Sequence, residues 1–180
     1  MSEEYTLDLV FNAYNEIESI ENDIENIIEN TKNIKGLCNV VIVEDGSTDG
    51  TSEHLKLLKN KYPIQLNQSE NRRGYSKALI DGINSSTSDF IFFSDLGGKF
   101  DWSEISKLCK CLPNYDFVLG VRTGRQDQRY RQFLTKAYSK YIQFFYRVNS
   151  RDPDSGFRIY KKSLISEILN NNIDNKHLLN

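Results

Sequence analysis

Two carboxylates, a glycine and a small hydroxyl residue follow an apolar run early in the chain. Residues 40–43 have the length and composition of a buried strand, and Glu44, Asp45, Gly46 and Ser47 come directly after it. Carboxylates at the carboxyl end of a strand can accept hydrogen bonds from a base or ribose, or approach a cation that bridges phosphates. Gly46 permits a tight turn there. The structural alternative is that these hydroxyl and acidic residues only cap the next helix.

A second apolar run also ends in an acid. Residues 90–93 are Phe-Ile-Phe-Phe, and they are followed by Ser94 and Asp95. The carboxyl ends of parallel strands meet at one edge of a sheet, so Asp45 and Asp95 are expected to approach the same cavity. Because crowding buried carboxylates costs free energy, their convergence indicates a binding site rather than packing.

Charge is distributed unevenly along the 180 residues. Residues 1–31 contain nine Asp or Glu and no Lys or Arg, whereas residues 120–162 contain eleven basic residues and three acidic ones. The basic segment predicts an anionic partner such as a phosphate or a lipid headgroup. The alternative is a solvated helix face. Binding of nucleic acid is not expected.

Several other classes of protein are not supported. The three cysteines include no Cys-x-x-Cys pair and the two histidines have no recognisable catalytic context, so zinc and serine- or cysteine-triad chemistry are not indicated. We expect the cysteines to be reduced and largely buried. There is no Gly-x-Gly-x-x-Gly after the first strand and no phosphate-binding loop. Without a signal peptide or an apolar run near the roughly 20 residues that cross a bilayer, a cytoplasmic protein is expected.

The elements that must position these residues alternate along the chain. Apolar patterning predicts strands at residues 7–13, 40–43, 64–66, 90–93, 116–120 and 157–160, and helices at residues 16–33, 51–60, 74–84, 102–111 and 130–147. Such alternation favours an α/β fold with a mainly parallel sheet flanked by helices on both faces.

Five segments occur in an order that resembles one known family. They are Ala13-Tyr14-Asn15-Glu16, residues 43–51, Asn71-Arg72-Arg73-Gly74 with the helix that follows, residues 94–101, and the pair formed by 125–131 and 152–158. The ordered set resembles glycosyltransferase family 2, the inverting enzymes of the GT-A fold. Within that family it is similar to the dolichol-phosphate mannose synthase-like branch, whose members glycosylate polyprenyl phosphates. The resemblance covers residues 7–162.

The resemblance implies a nucleotide-binding set near the first two strands. Tyr14 offers a face for stacking, while Glu16 and Asp45 can accept hydrogen bonds from base N–H or ribose O–H groups. The implied nucleotide-binding residues are Ala13, Tyr14, Glu16, Asp45, Gly46, Ser47, Gly74 and Lys77.

The family's Asp-x-Asp segment, which meets a divalent ion on the donor's diphosphate, is altered here. Asp95 occupies the first position and Gly97 the second. The resemblance implies Mg²⁺ or Mn²⁺ at Asp95. Since Mg²⁺ can keep waters and use substrate phosphates, one protein carboxylate can suffice. Weak metal binding, recruitment of Asp101, or an inactive site are the alternatives.

The basic segment is expected to receive the acceptor. Guanidinium groups pair bidentately with phosphate oxygens, which suits a polyprenyl phosphate. The resemblance implies a catalytic set of Asp95, Arg122, Arg131, Asp152 and Arg158. The predicted helix at 130–147 mixes aromatic and basic residues, as a helix at a membrane surface does, so peripheral membrane contact at the cytoplasmic face is expected. The alternative for its aromatic residues is a core stripe.

These observations predict an inverting transfer of a hexose from a nucleotide-diphosphate sugar to a polyprenyl, dolichyl-type phosphate. A first alternative acceptor is a glycan hydroxyl, which would need a general base such as Asp154 or Asp152. A second alternative is a noncatalytic module that binds nucleotide sugars. Family members usually continue beyond the last matched segment, so we expect one GT-A-type domain over residues 1–180 with a shortened C-terminus.

Overall fold

The computed structural model describes residues 4–122, 137–141, 143–145, 152–153 and 155–173, with side chains described as far as residue 169. Residues 137–141 and 143–145 are helical, and residues 102–104 form a single 3₁₀ turn. The other elements are β1 (Leu7–Ala13), α1 (Ile20–Thr31), β2 (Leu37–Asp45), α2 (Thr51–Lys61), β3 (Gln65–Ser69), α3 (Tyr75–Ser85), β4 (Phe90–Asp95), α4 (Ile105–Cys109), β5 (Phe117–Leu119), β6 (Arg158–Lys161) and α5 (Lys162–Ile173).

The strands of the described residues form one sheet in the order β3-β2-β1-β4-β6-β5. Neighbouring strands among the first four are parallel, and β6 runs antiparallel to both β4 and β5. The sheet is therefore mainly parallel, with a single reversed strand. The predicted fold class is confirmed.

Both faces of the sheet are covered because the central strands carry apolar residues on alternate sides. Leu9 and Phe11 of β1 belong to a core cluster that contains residues of α1, α2 and α4. Val10 points the other way, into a second cluster with residues of α3 and α5. Two-sided burial is the reason that these strands read as continuous apolar runs.

The strand order reverses next to β1. The chain passes from β1 to β2 and β3 on one side, and then returns to place β4 on the other side of β1. In open α/β sheets, ligands bind outside the carboxyl ends of the strands at such a reversal. The register pairs Asn12 with Asp95 and Ala13 with Glu44, so the acid loops after β2 and β4 flank the end of β1.

Two sequence predictions about the elements were wrong in part, and one helix was not predicted. The first helix begins at Ile20 rather than at residue 16, because the Glu16 and Ile17 amides donate to the side chains of Thr51 and Asp49 in the loop after β2 and a turn precedes the helix. The predicted helix at residues 102–111 divides into the 3₁₀ turn and α4. Helix α5 was not predicted, although Ile165 and Leu169, one turn apart, pack on the second core cluster.

Two further expectations concern the cysteines and the membrane. Cys109 is buried as expected, but Cys38 is exposed because it lies near the start of β2, before the strand enters the core. Burial raises the pKa of the Cys109 thiol to about 11. Within the described ranges, no helix is both long enough and apolar enough to cross a bilayer.

Candidate functional site

Hydrogen bonds join the loops that follow β1 and β2. The Asn15 amide donates to Ser47 Oγ at 3.0 Å, and the Thr48 amide donates to Asn15 Oδ1 at 2.9 Å. Asn15 has a φ of 56°, in the left-handed region that asparagine tolerates better than most residues. The Glu16 amide then donates to Thr51 Oγ1 at 2.9 Å. The hydroxyl residues after β2 therefore hold the β1 loop in place and do not cap α2.

Asp45 holds the loop that leads into α3. Its carboxylate is buried and accepts hydrogen bonds from the Arg73 amide at 2.8 Å and from the Gly74 amide at 2.9 Å. The same loop lies against Gly46, which has a φ of 70° and where a Cβ would come within 2.4 Å of the Arg72 backbone nitrogen. A glycine is therefore required at residue 46 for the loop to approach.

The loop places an arginine on the predicted stacking residue. The Arg72 guanidinium lies 4.1 Å from the centre of the Tyr14 ring, a cation–π contact. Ala13 is fully buried in the core, so its side chain supports this region from below. Lys77 is largely exposed and pairs with Asp81 at 3.1 Å.

A buried acid on α1 fixes the loop after β4. Asp23 Oδ2 accepts hydrogen bonds from the Gly97 and Gly98 amides at 2.9 and 2.8 Å, and Oδ1 accepts from Trp102 Nε1 at 2.9 Å. Asp23 is 1% exposed. Hydrogen bonds to charged acceptors are stronger than those between neutral groups, so this single carboxylate determines the path of residues 97–102.

Glu16 occupies the space beside the position where the second family acid is expected. Gly97 has a φ of 121°, and a Cβ built there would lie 2.7 and 2.8 Å from the two carboxylate oxygens of Glu16. Real Cβ atoms do not approach other atoms so closely, and side-chain-bearing residues rarely adopt this φ. Gly97 is thus required by its backbone conformation, and the lack of a Cβ there leaves room for the Glu16 carboxylate.

Asp95 and Glu16 share one electrostatic environment. Burial raises the pKa of Asp95, and hydrogen bonding by Asn12 and the positive charges of Lys99 and Arg158 oppose this rise. Burial also raises the pKa of Glu16; Lys99 again opposes the rise, and the negative charge of Asp95 adds to it. The positive charge of Lys99 acts to lower the pKa of both Glu16 and Asp95, so the two acids and the lysine lie near one another at the end of β4.

Arg122 and Asp152 form a close pair beside β5. The Asp152 carboxylate, 4% exposed, accepts hydrogen bonds from Arg122 Nε and Nη2, both at 2.7 Å, and from the Arg122 amide at 3.1 Å. This bidentate geometry orients the guanidinium firmly. With three hydrogen bonds from one arginine, Asp152 is a support for Arg122 and a poor candidate for the general base that a hydroxyl acceptor needs.

Arg158 links β6 to the start of α3. Its Nη2 donates to the Tyr75 hydroxyl at 3.3 Å, while its buried Nε has no hydrogen-bond partner within the described ranges. A Cβ at Gly156 would lie 4.0 Å from Asp95 Oδ2, so the 155–158 segment passes close to Asp95. Arg158, the acids Asp95 and Glu16, and the backbone at Gly97 and Gly156 therefore lie at one edge of the sheet.

The donor set fits a divalent cation that is also held by its substrate. Asp95 Oδ1 is buried and has no hydrogen-bond partner among the described residues, so one carboxylate oxygen is left to accept from a ligand or a cation. Within the described residues, no group of three or more His, Cys, Asp or Glu side chains could hold a metal ion. A carboxylate oxygen with water and phosphate oxygens is a set that Mg²⁺ accepts. Asp101 is engaged elsewhere, since its carboxylate accepts from the amide and the hydroxyl of Ser103.

The structure brings most of the predicted site residues to one edge of the sheet. Asp45 and Asp95 lie on the strands either side of β1, about 10 Å apart if neighbouring strands are spaced by the usual 4.8 Å. Arg131 and Asp154 fall outside the described residues. The assigned roles of the other predicted residues stay predictions.

Three residues of this region were not predicted as site residues. Arg72 and Lys99 lie inside segments that the family resemblance covers, but neither belongs to the family pattern. The sequence pattern could have identified Asp23, because it is an acid on the apolar stripe of α1, beside Ile20, Ile24 and Ile27. A buried acid on such a stripe needs donors, which indicates an anchoring role.

The sheet order, with acid loops at the reversal next to β1, is that of a GT-A fold. The chain belongs to Glycosyl transferase family 2, which it matches over residues 8–169. The predicted family is thereby confirmed.

Two curated relatives illustrate the branch. The dolichol-phosphate mannosyltransferase of Pyrococcus furiosus is 28% identical over 181 residues, which cover 95% of this chain and 50% of the relative. The undecaprenyl-phosphate 4-deoxy-4-formamido-L-arabinose transferase of Serratia proteamaculans is 26% identical over 168 residues, covering 90% of this chain and 51% of the relative. The chain spans about half the length of these relatives.

Solved structures confirm the fold. The mannosyltransferase PcManGT of Pyrobaculum calidifontis, in complex with GDP-Man and Mn²⁺, superposes with a TM-score of 0.69 at 22% identity, covering 91% of this chain and 46% of that one. The glucosyl-3-phosphoglycerate synthase of Mycobacterium tuberculosis, in complex with Mn²⁺, UDP-Glc and phosphoglyceric acid, gives 0.67 at 18% identity, covering 90% and 58%. Both neighbours were thus crystallised with Mn²⁺ and a nucleotide sugar.

Proposed function

We propose that the chain transfers a hexose from a nucleotide-diphosphate sugar to a polyprenyl phosphate, with inversion at the sugar's anomeric carbon. The observation that carries the proposal is the approach of three segments at the reversal of strand order: Glu16 lies against Gly97, two residues after Asp95, and the segment that leads to Arg158 passes within about 4 Å of Asp95 Oδ2 at Gly156. Family membership and the names of the two relatives support both the donor class and the acceptor class.

The nucleoside half of the donor is proposed to bind over the β1 and β2 loops. Tyr14 and Arg72 offer two flat groups against which a base can stack, and Asp45 keeps the loop that carries Arg72 in position. Because both Asp45 oxygens already accept from backbone amides, its contribution to nucleoside binding is proposed to be mainly indirect. Sugar hydroxyls and phosphates would then extend toward Asp95.

Mg²⁺ or Mn²⁺ is proposed to bind between Asp95 and the diphosphate. The buried and unpartnered Oδ1 of Asp95 supports this assignment. When bound, such an ion neutralises charge that develops on a departing diphosphate. Arg158, whose positive charge acts on Asp95, and the exposed Lys99 supply further positive charge from the chain itself.

The reaction that this site suits is a single in-line displacement. An acceptor phosphate oxygen forms a bond to the sugar's anomeric carbon while the bond from that carbon to the diphosphate oxygen breaks, and the departing nucleoside diphosphate takes the electron pair. A phosphate monoester is already ionised near neutral pH, so no general base is needed. The chain's part is to orient the two substrates and to stabilise the charge that moves onto the diphosphate.

The acceptor phosphate is proposed to bind among the arginines after β5 and on β6. Asp152 fixes the Arg122 guanidinium, which reduces the conformational entropy that binding would otherwise cost. Arg158 has a buried Nε hydrogen for which the described residues supply no acceptor. Arg131 is assigned to the same phosphate on the family resemblance alone.

Peripheral membrane contact is proposed for the helical residues 137–141 and 143–145. The aromatic side chains described there are exposed: Tyr138 by 49%, Tyr141 by 50%, Phe144 by 78% and Phe145 by 64%. Such exposure argues against the alternative that these aromatics form a core stripe. Aromatic residues next to lysines favour the interface of an anionic bilayer, where a polyprenyl phosphate resides.

Transfer can be tested with purified protein, a short polyprenyl phosphate and a panel of labelled GDP- and UDP-sugars, each with Mn²⁺ and with EDTA. The expected result is a lipid-linked hexose from one donor, and a loss of at least 100-fold in kcat/KM for Arg122→Gln. Lys59→Gln, at an exposed cation on α2, serves as the control. A folded wild-type protein that neither transfers to lipid phosphate nor hydrolyses any donor contradicts the proposal, and transfer only to added saccharides redirects it to a hydroxyl acceptor.

A further inference from the structure

The Asp-x-Asp pattern lost a carboxylate at Gly97, and the fold has placed another carboxylate against the same backbone position. The carboxylate of Glu16 lies where a side chain on residue 97 would begin, with both oxygens within 2.8 Å of an ideal Cβ. Glycine at 97 is therefore not a gap in the site. It is the residue that lets Glu16 approach the end of β4.

The position of Glu16 is built by contacts with two separate loops. Its amide donates to Thr51 Oγ1, and its carbonyl accepts from the Ser19 and Ile20 amides at the start of α1. On the other side, Asp23 holds the Gly97 amide, so the glycine loop is fixed against the same turn. The contact between Glu16 and Gly97 thus follows from anchored backbone on both sides.

We infer that Glu16 supplies the second protein carboxylate for the divalent cation, in place of an acid at residue 97. This inference rests on the proposed function and deepens it. Asp95 Oδ1, buried and without a hydrogen-bond partner in the part of the chain that the structure describes, is the first oxygen of the set, and the Glu16 carboxylate supplies the second. Two protein carboxylates with water and the donor's phosphates satisfy a Mg²⁺- or Mn²⁺-sized cation. The negative charge of Asp95 acts on Glu16, in keeping with this placement.

Lys99 is the competing cation in this region. Its positive charge acts on both Glu16 and Asp95, and its side chain is exposed. An exposed ammonium is screened by water and costs little to turn away. A divalent ion bridged to the diphosphate is therefore expected to displace Lys99 toward the solvent.

The test separates a metal ligand from a nucleoside ligand by measuring one variant under two conditions. Affinity for the donor is measured by calorimetry in Mn²⁺ and in EDTA for wild type, Glu16→Gln and Asp95→Asn. Glu18→Gln, at an exposed glutamate two residues along, is the matched control. We expect Mn²⁺ to raise the wild-type affinity, and each site variant to lose about tenfold or more of that gain. Affinity in EDTA should stay within about twofold for Glu16→Gln.

Free Mn²⁺, counted by electron paramagnetic resonance in the presence of nucleoside diphosphate, provides a readout that does not depend on turnover. Glu16→Asp, which keeps a shorter carboxylate, is expected to retain part of the Mn²⁺ binding if the fold is intact by circular dichroism. A Glu16→Gln variant that loses the same factor in Mn²⁺ and in EDTA would make Glu16 a nucleoside ligand and overturn the inference.

The inference would also be overturned if Mn²⁺ does not change the donor affinity of the wild-type protein and Lys99→Gln lowers it. That result would assign the charge neutralisation to Lys99. Either of these results leaves sugar transfer, and hence the proposed function, standing. Absence of donor binding under every condition would count against the proposed function itself.

Discussion

Replacement of Asp23 by asparagine tests whether one buried acid on α1 holds the loop that carries the site. The carboxylate accepts three hydrogen bonds, from the Gly97 and Gly98 amides and from Trp102 Nε1, and is 1% exposed. Asparagine keeps one accepting oxygen but turns an NH₂ group toward the remaining donors. The variant therefore loses at least one charge-assisted hydrogen bond and leaves a buried N–H unpaired.

The expected loss in the free energy of unfolding is about 2–4 kcal/mol, since each hydrogen bond to a charged group contributes about 1.5–3 kcal/mol. Trp102 is the single tryptophan of the chain and is 3% exposed, so its fluorescence reports on unfolding and on this contact together. With a urea slope of about 2 kcal/mol per molar, the unfolding midpoint should fall by roughly 1–2 M.

Glu25→Gln is the control, because Glu25 is an exposed acid on the same helix. A surface change of this kind is expected to stay within about 0.5 kcal/mol of wild type. If Asp23→Asn also stays within that range, the three hydrogen bonds do not hold the loop and the reasoning fails. The same variant should weaken donor binding, since Asp95 precedes the loop directly.

Two further predictions concern backbone space and buried charge. Gly46→Ala should lower the free energy of unfolding by several kcal/mol more than Gly74→Ala, as measured by urea unfolding. Both glycines have a positive φ, but a Cβ at Gly46 would lie 2.4 Å from backbone atoms, whereas one at Gly74 would have no described atom within 4 Å. Equal losses of unfolding free energy in the two variants would contradict the steric argument. Asp95→Asn should raise thermal stability at pH 7 while abolishing transfer. Burial raises the pKa of Asp95 above 3.8 in the folded protein, so the folded state loses this proton at a higher pH than the unfolded state. Wild-type stability therefore falls as the pH rises from about 4 through the raised pKa, and asparagine does not incur this loss. Thermal unfolding from pH 3 to 8 checks this, and a gain that persists at pH 3 would refute it.

Much of the fold could be read from the sequence because the central strands are buried on both faces. Apolar runs such as residues 90–93 predict strands without ambiguity, and turn residues after them predict the loops. Helix α5 was missed because its polar residues hide the pair Ile165 and Leu169, which only the neighbouring sheet face distinguishes from a tail. The start of α1 was misplaced because the turn at residues 17–19 depends on hydrogen bonds to a loop more than 30 residues away.

The candidate site was predictable in its membership but not in its internal arrangement. Residue types and order identify which acids reach the sheet edge. They do not reveal that the carboxylate oxygens of Asp45 and Asp152 already accept hydrogen bonds from neighbouring protein groups, because the donors and acceptors are 28–30 residues apart in the sequence. Nor does a glycine at 97 announce that Glu16 lies against it, since that contact depends on the path of two anchored loops.

The acids at this edge of the sheet differ in the donors from which their carboxylates accept hydrogen bonds. Asp23 and Asp45 each take two backbone amides of a loop, and Asp152 takes an amide and a guanidinium. These three are fully engaged, and their work is to hold the loops that shape the cavity. Asp95 differs from these three, because burial raises its pKa and its Oδ1 has no hydrogen-bond partner among the described residues, a feature that the buried Oε2 of Glu44 shares. A protein keeps a carboxylate in such an unfavourable setting when a ligand compensates it, so a search for the reactive part of the cavity should begin at Asp95.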